Sequence, residues 1–144
     1  MLSLVNECKL VVCKSEVAAG TTAIEDATIV DMQGFESVAF IAVLGADTAS
    51  TAAIGLSAIV GNDAALADGV EKEAQAAYTA TSDTDADGKA IVLDVIKPGA
   101  RYVRPKVTRS TANSEILAVV AVLYGAHGIP AVAGDALASA VSVN

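Results

Sequence analysis

The sequence predicts an all-β protein: a single-domain β-sandwich of the eight-stranded jelly-roll type, with at most one or two short helices. Its apolar segments are short and rich in Val, Ile and Ala. Gly, Asp, Asn, Ser and Thr separate these segments at short intervals, as turn residues separate the strands of sandwiches and barrels. The 144 residues suffice for one domain with its own hydrophobic core.

Eight segments have the length and composition of strands. In chain order they are residues 9–14, 27–32, 37–44, 53–60, 75–81, 90–96, 102–109 and 115–124. Turns are predicted at 30–35 and 97–100, because Gly34 and Gly99 accept positive φ and Pro98 presets φ at the first turn position.

Two Ala-rich stretches, 64–77 and 131–140, have a competing interpretation as helices, because Ala is a strong helix former. Asn62 or Asp63 would cap the first stretch, but Gly69 interrupts it after about two turns. We therefore expect a one- to two-turn insertion there. The sandwich domain is predicted to span 1–130. Residues 131–144 lack the bulk for a core of their own. We expect an extended arm that orders against a neighbouring subunit, and the alternative is a floppy terminus.

The composition favours association and argues against nucleic acid as a partner. Ala and Val dominate the apolar residues, and only three Tyr and two Phe add aromatic bulk. At about 25 cal/mol per Å² of buried apolar area, such a core leaves an isolated monomer marginal, so burial between subunits would stabilise it. The net charge of −8 repels phosphate backbones, and no basic and aromatic interleaving is present.

No export signal or membrane span is expected. The start of the chain has no basic segment followed by an uninterrupted apolar run before Glu7 and Lys9. The longest apolar run, 116–124, is too short to cross a bilayer as a helix, and we interpret it as a buried strand. Cys8 and Cys13 have an odd offset along a predicted strand, which predicts reduced, unpaired thiols in a cytoplasmic setting.

An acidic segment has the spacing of a calcium loop. Asp83, Asp85, Asp87 and Gly88, followed by Asp94, reproduce positions one, three, five, six and twelve of an EF-hand. An EF-hand needs flanking helices and usually a Glu at the twelfth position, whereas 91–95 reads as a strand. We therefore expect a solvated hairpin tip, and predict neither a metal nor another cofactor.

A basic segment, 101–109, contains four of the nine basic residues of an acidic chain. Alternation predicts one face with Arg104, Lys106 and Thr108, and the opposite face with Val103, Pro105, Val107 and Arg109. Pro105 cannot donate to a ladder and predicts an edge or a bulge. Two interpretations remain open: a docking patch for an acidic partner, or a solvated face with surface ion pairs. The candidate interface residues are Arg101, Arg104, Lys106 and Arg109.

Catalytic motifs are not apparent in the sequence. His127 stands alone beside Gly128, and no Ser or Cys lies in a nucleophile elbow. Phosphate-cradling loops and the glycine spacing of dinucleotide-binding folds are also missing. The chain is therefore predicted not to be an enzyme.

Three ordered stretches carry a resemblance to a known family. They are 30–35 leading into 38–44, then 92–95 through Lys97 and Pro98 to 101–105, and finally 119–125. Together, over roughly residues 27–130, they resemble the decoration (cement) proteins of tailed-phage capsids.

The resemblance implies a β-sandwich or jelly roll present in many copies on the outer capsid surface of the virion, after assembly in the cytoplasm of the bacterial host. It implies a homotrimer near three-fold positions that contacts the major capsid protein and clamps neighbouring capsomers. The terminal arm would then order against a subunit or the capsid. The matching residues are fold determinants, such as Gly34, Phe35 and Pro98, so no ligand or catalytic residue is carried over.

Two other functions remain open. The first is another virion component, such as a tail-tube, tail-completion or fibre-base protein, which would share the small β fold. The second is a carbohydrate- or ligand-binding sandwich. A chain with no Trp and three scattered Tyr is poorly equipped to stack sugars, which disfavours the second function.

Overall fold

The structure, a computed structural model, describes residues 3–128 and 134–142, and its regular elements are ten strands and one short helix. In chain order they are α1 (Leu4–Glu7), β1 (Lys9–Lys14), β2 (Val17–Gly20), β3 (Val30–Asp31), β4 (Phe35–Leu44), β5 (Ala53–Gly61), β6 (Val70–Glu71), β7 (Ala76–Thr79), β8 (Ala90–Ile96), β9 (Tyr102–Ser110) and β10 (Ser114–Ala126). The predicted all-β class is confirmed.

The strands form two antiparallel sheets that pack face to face as a β-sandwich. Sheet A has the order β1-β10-β4-β8, and β2 also pairs with β10. Sheet B has the order β3-β9-β5-β6, and β7 also pairs with β5. The sandwich is therefore confirmed, whereas the jelly-roll type stays a prediction.

The strand count differs from the predicted eight. All eight predicted segments contain a strand, and β2 and β6 are additional. Both are short and lack a run of β-branched residues, so only their pairing with the long strands β10 and β5 makes them strands.

The Ala-rich segment 64–77 forms a turn and two strands instead of the expected helical insertion. The Asp63 carboxylate accepts hydrogen bonds from the backbone N–H groups of Ala65 and Ala67, at 2.8 and 3.2 Å. Asp63, predicted to cap a short helix, caps only a turn, because Leu66 takes a positive φ of 57°, which ends the turn before a helix can form. The single helix, α1, lies instead at the start of the described chain.

The core lies between the inner faces of the two sheets and is built largely from Val, Ala and Leu. Its largest fully buried side chains are Phe40, Leu44, Ile54, Leu56, Ile116 and Leu123. Cys8 and Cys13 are buried, and no disulfide joins them in the structure. Burial raises the pKa of the Cys13 thiol to about 12.

The C-terminal segment returns to the edge of sheet A at β1. Gly134 forms a parallel bridge with Leu10, and the N–H of Asp135 donates to the carbonyl of Leu10 at 2.8 Å. A Cβ at Gly134 would lie 2.0 Å from that carbonyl oxygen, so this approach requires glycine. We call residues 136–142 the terminal arm; they contain no strand. The predicted boundary between 130 and 131 lies outside the described residues.

Candidate assembly surfaces

The outer face of sheet A is apolar. Strand register aligns Val12, Val120, Ile41 and Val92 in one row across β1, β10, β4 and β8. These four β-branched side chains point away from the core, because their strand neighbours are the buried or half-buried positions that face it. Val92 is 55% exposed at the end of this row. An antiparallel sheet normally turns a polar face to water, so this face is unusual.

The neighbouring rows extend the same surface. We define the outer face of sheet A as the four-residue row together with Leu10, Val122, Ala39, Asp94, Tyr124, Ser37, Ile96, Ala118, Val43 and Ala90. Ile96 is 67% exposed. Asp94 is the only charged residue in this set.

Asp94 is paired on that face. The Tyr124 hydroxyl donates to the Asp94 carboxylate at 2.6 Å. Burial and this hydrogen bond raise the pKa of Tyr124, so the phenol keeps its proton at neutral pH. The one charge of the outer face of sheet A therefore has a donor supplied by its own chain.

The outer face of sheet B is polar and internally paired. Lys106 on β9 lies between Glu25 at 3.0 Å and Glu71 at 3.1 Å. The hydroxyl of Ser57 also donates to Glu71, at 2.7 Å, and Ser57 and Lys106 lower the pKa of this carboxyl. Gln75 donates to Thr108 at 3.0 Å. The two sides of the sandwich therefore differ sharply in chemistry.

Two of the four candidate interface residues are ion-paired within the chain. Lys106 is held as described above, and Arg101 makes a bidentate pair with Asp31, at 3.0 and 2.9 Å. Arg101 also donates to Gln33 at 2.6 Å. This hydrogen bonding lowers the pKa of Asp31. The charges of Lys106 and Arg101 are therefore balanced by neighbouring acids. For these two residues the structure agrees with the interpretation of a solvated face with surface ion pairs.

The other two candidate residues differ from each other. Arg109 is only 7% exposed, and its guanidinium donates to the carbonyls of Thr22, Ala18 and Ser114 at 2.8, 2.8 and 2.7 Å. It therefore joins three chain segments inside the fold. Arg104 is half-buried on the outer face, and its Nε has no hydrogen-bond partner among the described residues.

Pro105 was predicted to mark an edge or a bulge. β9 lies inside sheet B, between β3 and β5. On the side away from β5, its partners are only the two-residue strand β3 and an isolated bridge to Ile24. Val103 pairs there with β3 and Val107 with Ile24. The backbone nitrogen of Pro105 points to the same side as that of Val107, between these two contacts. Proline therefore occupies a local gap in an otherwise paired strand.

Strand β8 is an unpaired edge of sheet A. The N–H of Leu44 donates to the carbonyl of Lys89, so the backbone groups of residues 89, 91, 93 and 95 are the ones that point toward β4. The backbone groups at every second residue of β8 then point away from β4. These residues are Ala90, Val92, Asp94 and Ile96. Beside them lies a cleft of about 580 Å³ between β8 and the connection from β6 to β7.

The acidic segment connects β7 of sheet B to β8 of sheet A, so the predicted hairpin tip is wrong. The Asp85 carboxylate accepts hydrogen bonds from the N–H and hydroxyl of Thr81, at 2.8 and 2.7 Å, and from the hydroxyl of Tyr78. These bonds lower the pKa of Asp85 far below its usual value. Asp94 lies on β8 and bonds Tyr124. Within residues 3–128 and 134–142, no group of three or more His, Cys, Asp or Glu residues is placed to hold a metal ion.

His127 follows β10 and has a structural contact. Its backbone N–H donates to the carbonyl of Gly34 at 2.9 Å, which ties the end of β10 to the turn before β4. In the part of the chain that the structure describes, no helix is long and apolar enough to span a membrane.

The outer face of sheet A was not predicted from the sequence, although a signal was present. Residues 38–44 and 116–124 are apolar at almost every position instead of at every second one. In an antiparallel sheet such runs indicate strands whose two faces both avoid water. A search of family models and of curated proteins found no match to this chain.

Proposed function

We propose that this chain is a virion structural protein that binds the outside of a tailed-phage capsid as a homotrimer and stabilises contacts between capsomers. The observation that supports assembly best is the apolar outer face of sheet A. The capsid role is supported by the resemblance of the three ordered stretches to cement proteins. In this proposal the chain has no catalytic step and needs no cofactor.

The outer face of sheet A can supply part of a contact between copies. Four strands about 4.8 Å apart, with the roughly 20 Å that the six residues of β1 share with the other strands, give about 400 Å² per copy. In a trimer this is about 400 Å² at each of three contacts, below the roughly 1,000 Å² of a specific interface, so contacts outside this face must add to it. Interfaces between subunits of one oligomer are also the most apolar class.

The charge distribution favours a second copy as the occupant of this face. Each chain carries a net charge of −8, so two copies repel each other wherever their acids meet. The outer face of sheet A contains one carboxylate, and Tyr124 already donates to it. Contact through this set of residues therefore brings together one acidic side chain from each copy, with Glu115 farther along β10 on the same side of the sheet.

The outer face of sheet B would then face the capsid. It is polar, and its ion pairs leave few unbalanced charges, as in interface rims that stay hydrated. Arg104 lies on this face, and its buried Nε has no hydrogen-bond partner among the described residues. Three such faces held in one trimer would bind with combined strength, so the contact of each need not be strong.

The test is to compare capsids with and without the protein. Particles assembled with the wild-type chain should resist heat better than particles that lack it, and electron microscopy should place extra density on the outer capsid surface. When it is added to capsids that lack the protein, an Arg104→Glu variant should bind with lower occupancy than the wild-type chain. Lys89→Glu, on the turn before β8, should bind with wild-type occupancy. Density on the tail, or equal heat resistance without the protein, would contradict the proposal.

A further inference from the structure

The terminal arm lies beside the end of the outer face of sheet A that is nearest to α1. Arm residues 136 and 138–140 line one cavity together with Leu10 and Val122, which belong to that face. We propose that the terminal arm is an autoinhibitory strap, which covers this end of the face in the free chain and must move before a second copy can use it. This inference rests on the proposed homo-oligomer and adds a control of the same face.

Two residues before the arm fasten it to β1, and we call Gly134 and Asp135 the latch. The N–H of Asp135 donates to the carbonyl of Leu10, and the carboxylate of Asp135 accepts from the N–H of Val12, both at 2.8 Å. Gly134 forms the parallel bridge with Leu10. Because β1 ends sheet A on this side, these backbone groups of β1 point away from β10. The latch therefore occupies an open edge of the sheet and brings the chain to its outer face.

Beyond the latch the arm is held loosely. Among the described residues, no backbone–backbone hydrogen bond joins the arm to the rest of the chain. Its two largest side chains face solvent, since Leu137 is fully exposed and Val141 is 54% exposed.

The arm also leaves space beneath it. It contributes only alanines and one serine to the lining of a cavity of about 280 Å³. Atoms that line a void lose the dispersion contacts that a larger side chain would supply. The arm therefore covers an apolar surface without filling it, and such a cover is displaced at little cost.

The surface beneath the arm includes a thiol that can report on its position. Cys8 lines the same cavity, as do Leu4 and Val5 of α1, and it is 5% exposed. Cys13 belongs to the core between the sheets, whereas Cys8 lies outside that core. Two thin segments, α1 and the arm, thus cover Cys8. Opening of the arm should therefore expose this thiol without unfolding the sandwich.

The arm and a second copy compete for the same side chains. Leu10 and Val122 cannot pack against both at once, so association through this end requires an open arm. The apparent affinity between copies is then reduced by the fraction of chains whose arm is open. Residues 136–142 contain no charged side chain, so the arm covers this end without burying a charge. It thereby reduces the apolar surface that a newly made chain exposes.

The test compares variants that open the latch with one that tightens the arm. Asp135→Ala removes an acceptor of the latch, and Gly134→Ala places a Cβ too close to a carbonyl of β1. Ala138→Leu adds apolar volume at the lining of the cavity. Leu137→Ala is the control, because this side chain is fully exposed.

The first readout is the rate at which Cys8 reacts with a thiol reagent, far below the concentrations at which copies associate. Loss of one hydrogen bond should make both latch variants react about fivefold faster than the wild-type chain. Ala138→Leu should react more slowly, and Leu137→Ala at the wild-type rate. Cys13 should stay unlabelled in every variant, which excludes global unfolding. Unchanged Cys8 rates in both latch variants would show that the arm is not its cover, and would overturn the inference.

The second readout is self-association, measured by fluorescence-detected sedimentation where the wild-type oligomer partly dissociates. Both latch variants should form that oligomer more tightly, by about fivefold, and Ala138→Leu should form it more weakly. If the wild-type chain assembles and neither latch variant assembles more tightly, the strap is wrong and the assembly stands. If the wild-type chain and both latch variants are monomers at every concentration, the proposed assembly is wrong as well.

Discussion

The hydroxyl of Tyr124 on β10 donates a 2.6 Å hydrogen bond to the carboxylate of Asp94 on β8, across the intervening strand β4. This bond satisfies the one charge on the outer face of sheet A. Its removal distinguishes the contribution of this face to the stability of the monomer from its contribution to self-association. A carboxylate exposed in the monomer needs no protein donor, whereas a carboxylate buried between copies does.

Tyr124→Phe should therefore weaken association more than it weakens the fold. Loss of the hydrogen bond should lower the free energy of unfolding of the monomer by about 1 kcal/mol or less, since water can replace the hydroxyl. Self-association should weaken by a larger factor, because burial then leaves Asp94 unpaired. Sedimentation equilibrium and denaturant melts measure the two quantities.

The double variant Tyr124→Phe with Asp94→Ala is the control for that prediction. Replacement of both partners by apolar groups removes the unpaired charge and should restore association toward the wild-type value. Equal losses in the single and double variants would show that the outer face of sheet A is not buried between copies.

Arg109→Met should destabilise the fold strongly. The substitution keeps an unbranched apolar stem but leaves the carbonyls of Ala18, Thr22 and Ser114 without their donor. We expect the free energy of unfolding to fall by roughly 3 kcal/mol. Arg101→Met, which removes an exposed ion pair, should cost about 1 kcal/mol or less. Similar losses in urea melts of the two variants would contradict a structural role for Arg109.

Acid should destabilise the protein partly through Asp85. Its pKa is lower in the folded chain than the usual 3.9 or so of an unfolded Asp, so its contribution to stability is present above that value. The contribution is lost as the pH falls through the folded pKa. Thermal midpoints should therefore drop between about pH 5 and pH 2 in the wild-type chain, and drop less in Asp85→Asn. Asp83→Asn should follow the wild-type profile; equal slopes in all three proteins would show that the Thr81 and Tyr78 contacts do not persist in solution.

The thiols should react only after unfolding. Cys13 is 2% exposed, and burial raises its pKa to about 12, so little thiolate is available at pH 8. We expect neither cysteine to label with a thiol reagent in the native protein, and both to label in denaturant. Rapid labelling of one cysteine under native conditions would contradict its burial, and a mass two protons below the reduced value would contradict the unpaired state.

The long strands could be predicted from sequence because their signal is local. β4, β9 and β10 are dense in β-branched residues and end at turn residues, so a short window identifies them. β2 reads Val-Ala-Ala-Gly and has no such signal. Its strand conformation comes from β10, almost a hundred residues later in the chain.

The candidate surfaces depend on register, which a single sequence does not reveal. Val12 and Val120 are neighbours in one row of the outer face of sheet A, although more than a hundred residues separate them. The ion pairs of Lys106 could not be predicted from the sequence either, because Glu25 and Glu71 come from two distant segments. Alternation correctly placed Lys106 and Arg109 on opposite faces of β9, because that pattern is local.

The solution mass tests the central proposal most directly. Multi-angle light scattering should give about 43 kDa, three times the 14.4 kDa of one chain, over a wide concentration range. Ile41→Lys places a charge inside the outer face of sheet A, and Val92→Lys places one at its β8 edge. Both should shift the mass toward that of the monomer. Thr108→Lys, on the polar face of sheet B, should leave the trimer intact. A wild-type mass of 14.4 kDa at every concentration, or a trimer that both outer-face variants leave unchanged, would contradict assembly through this face.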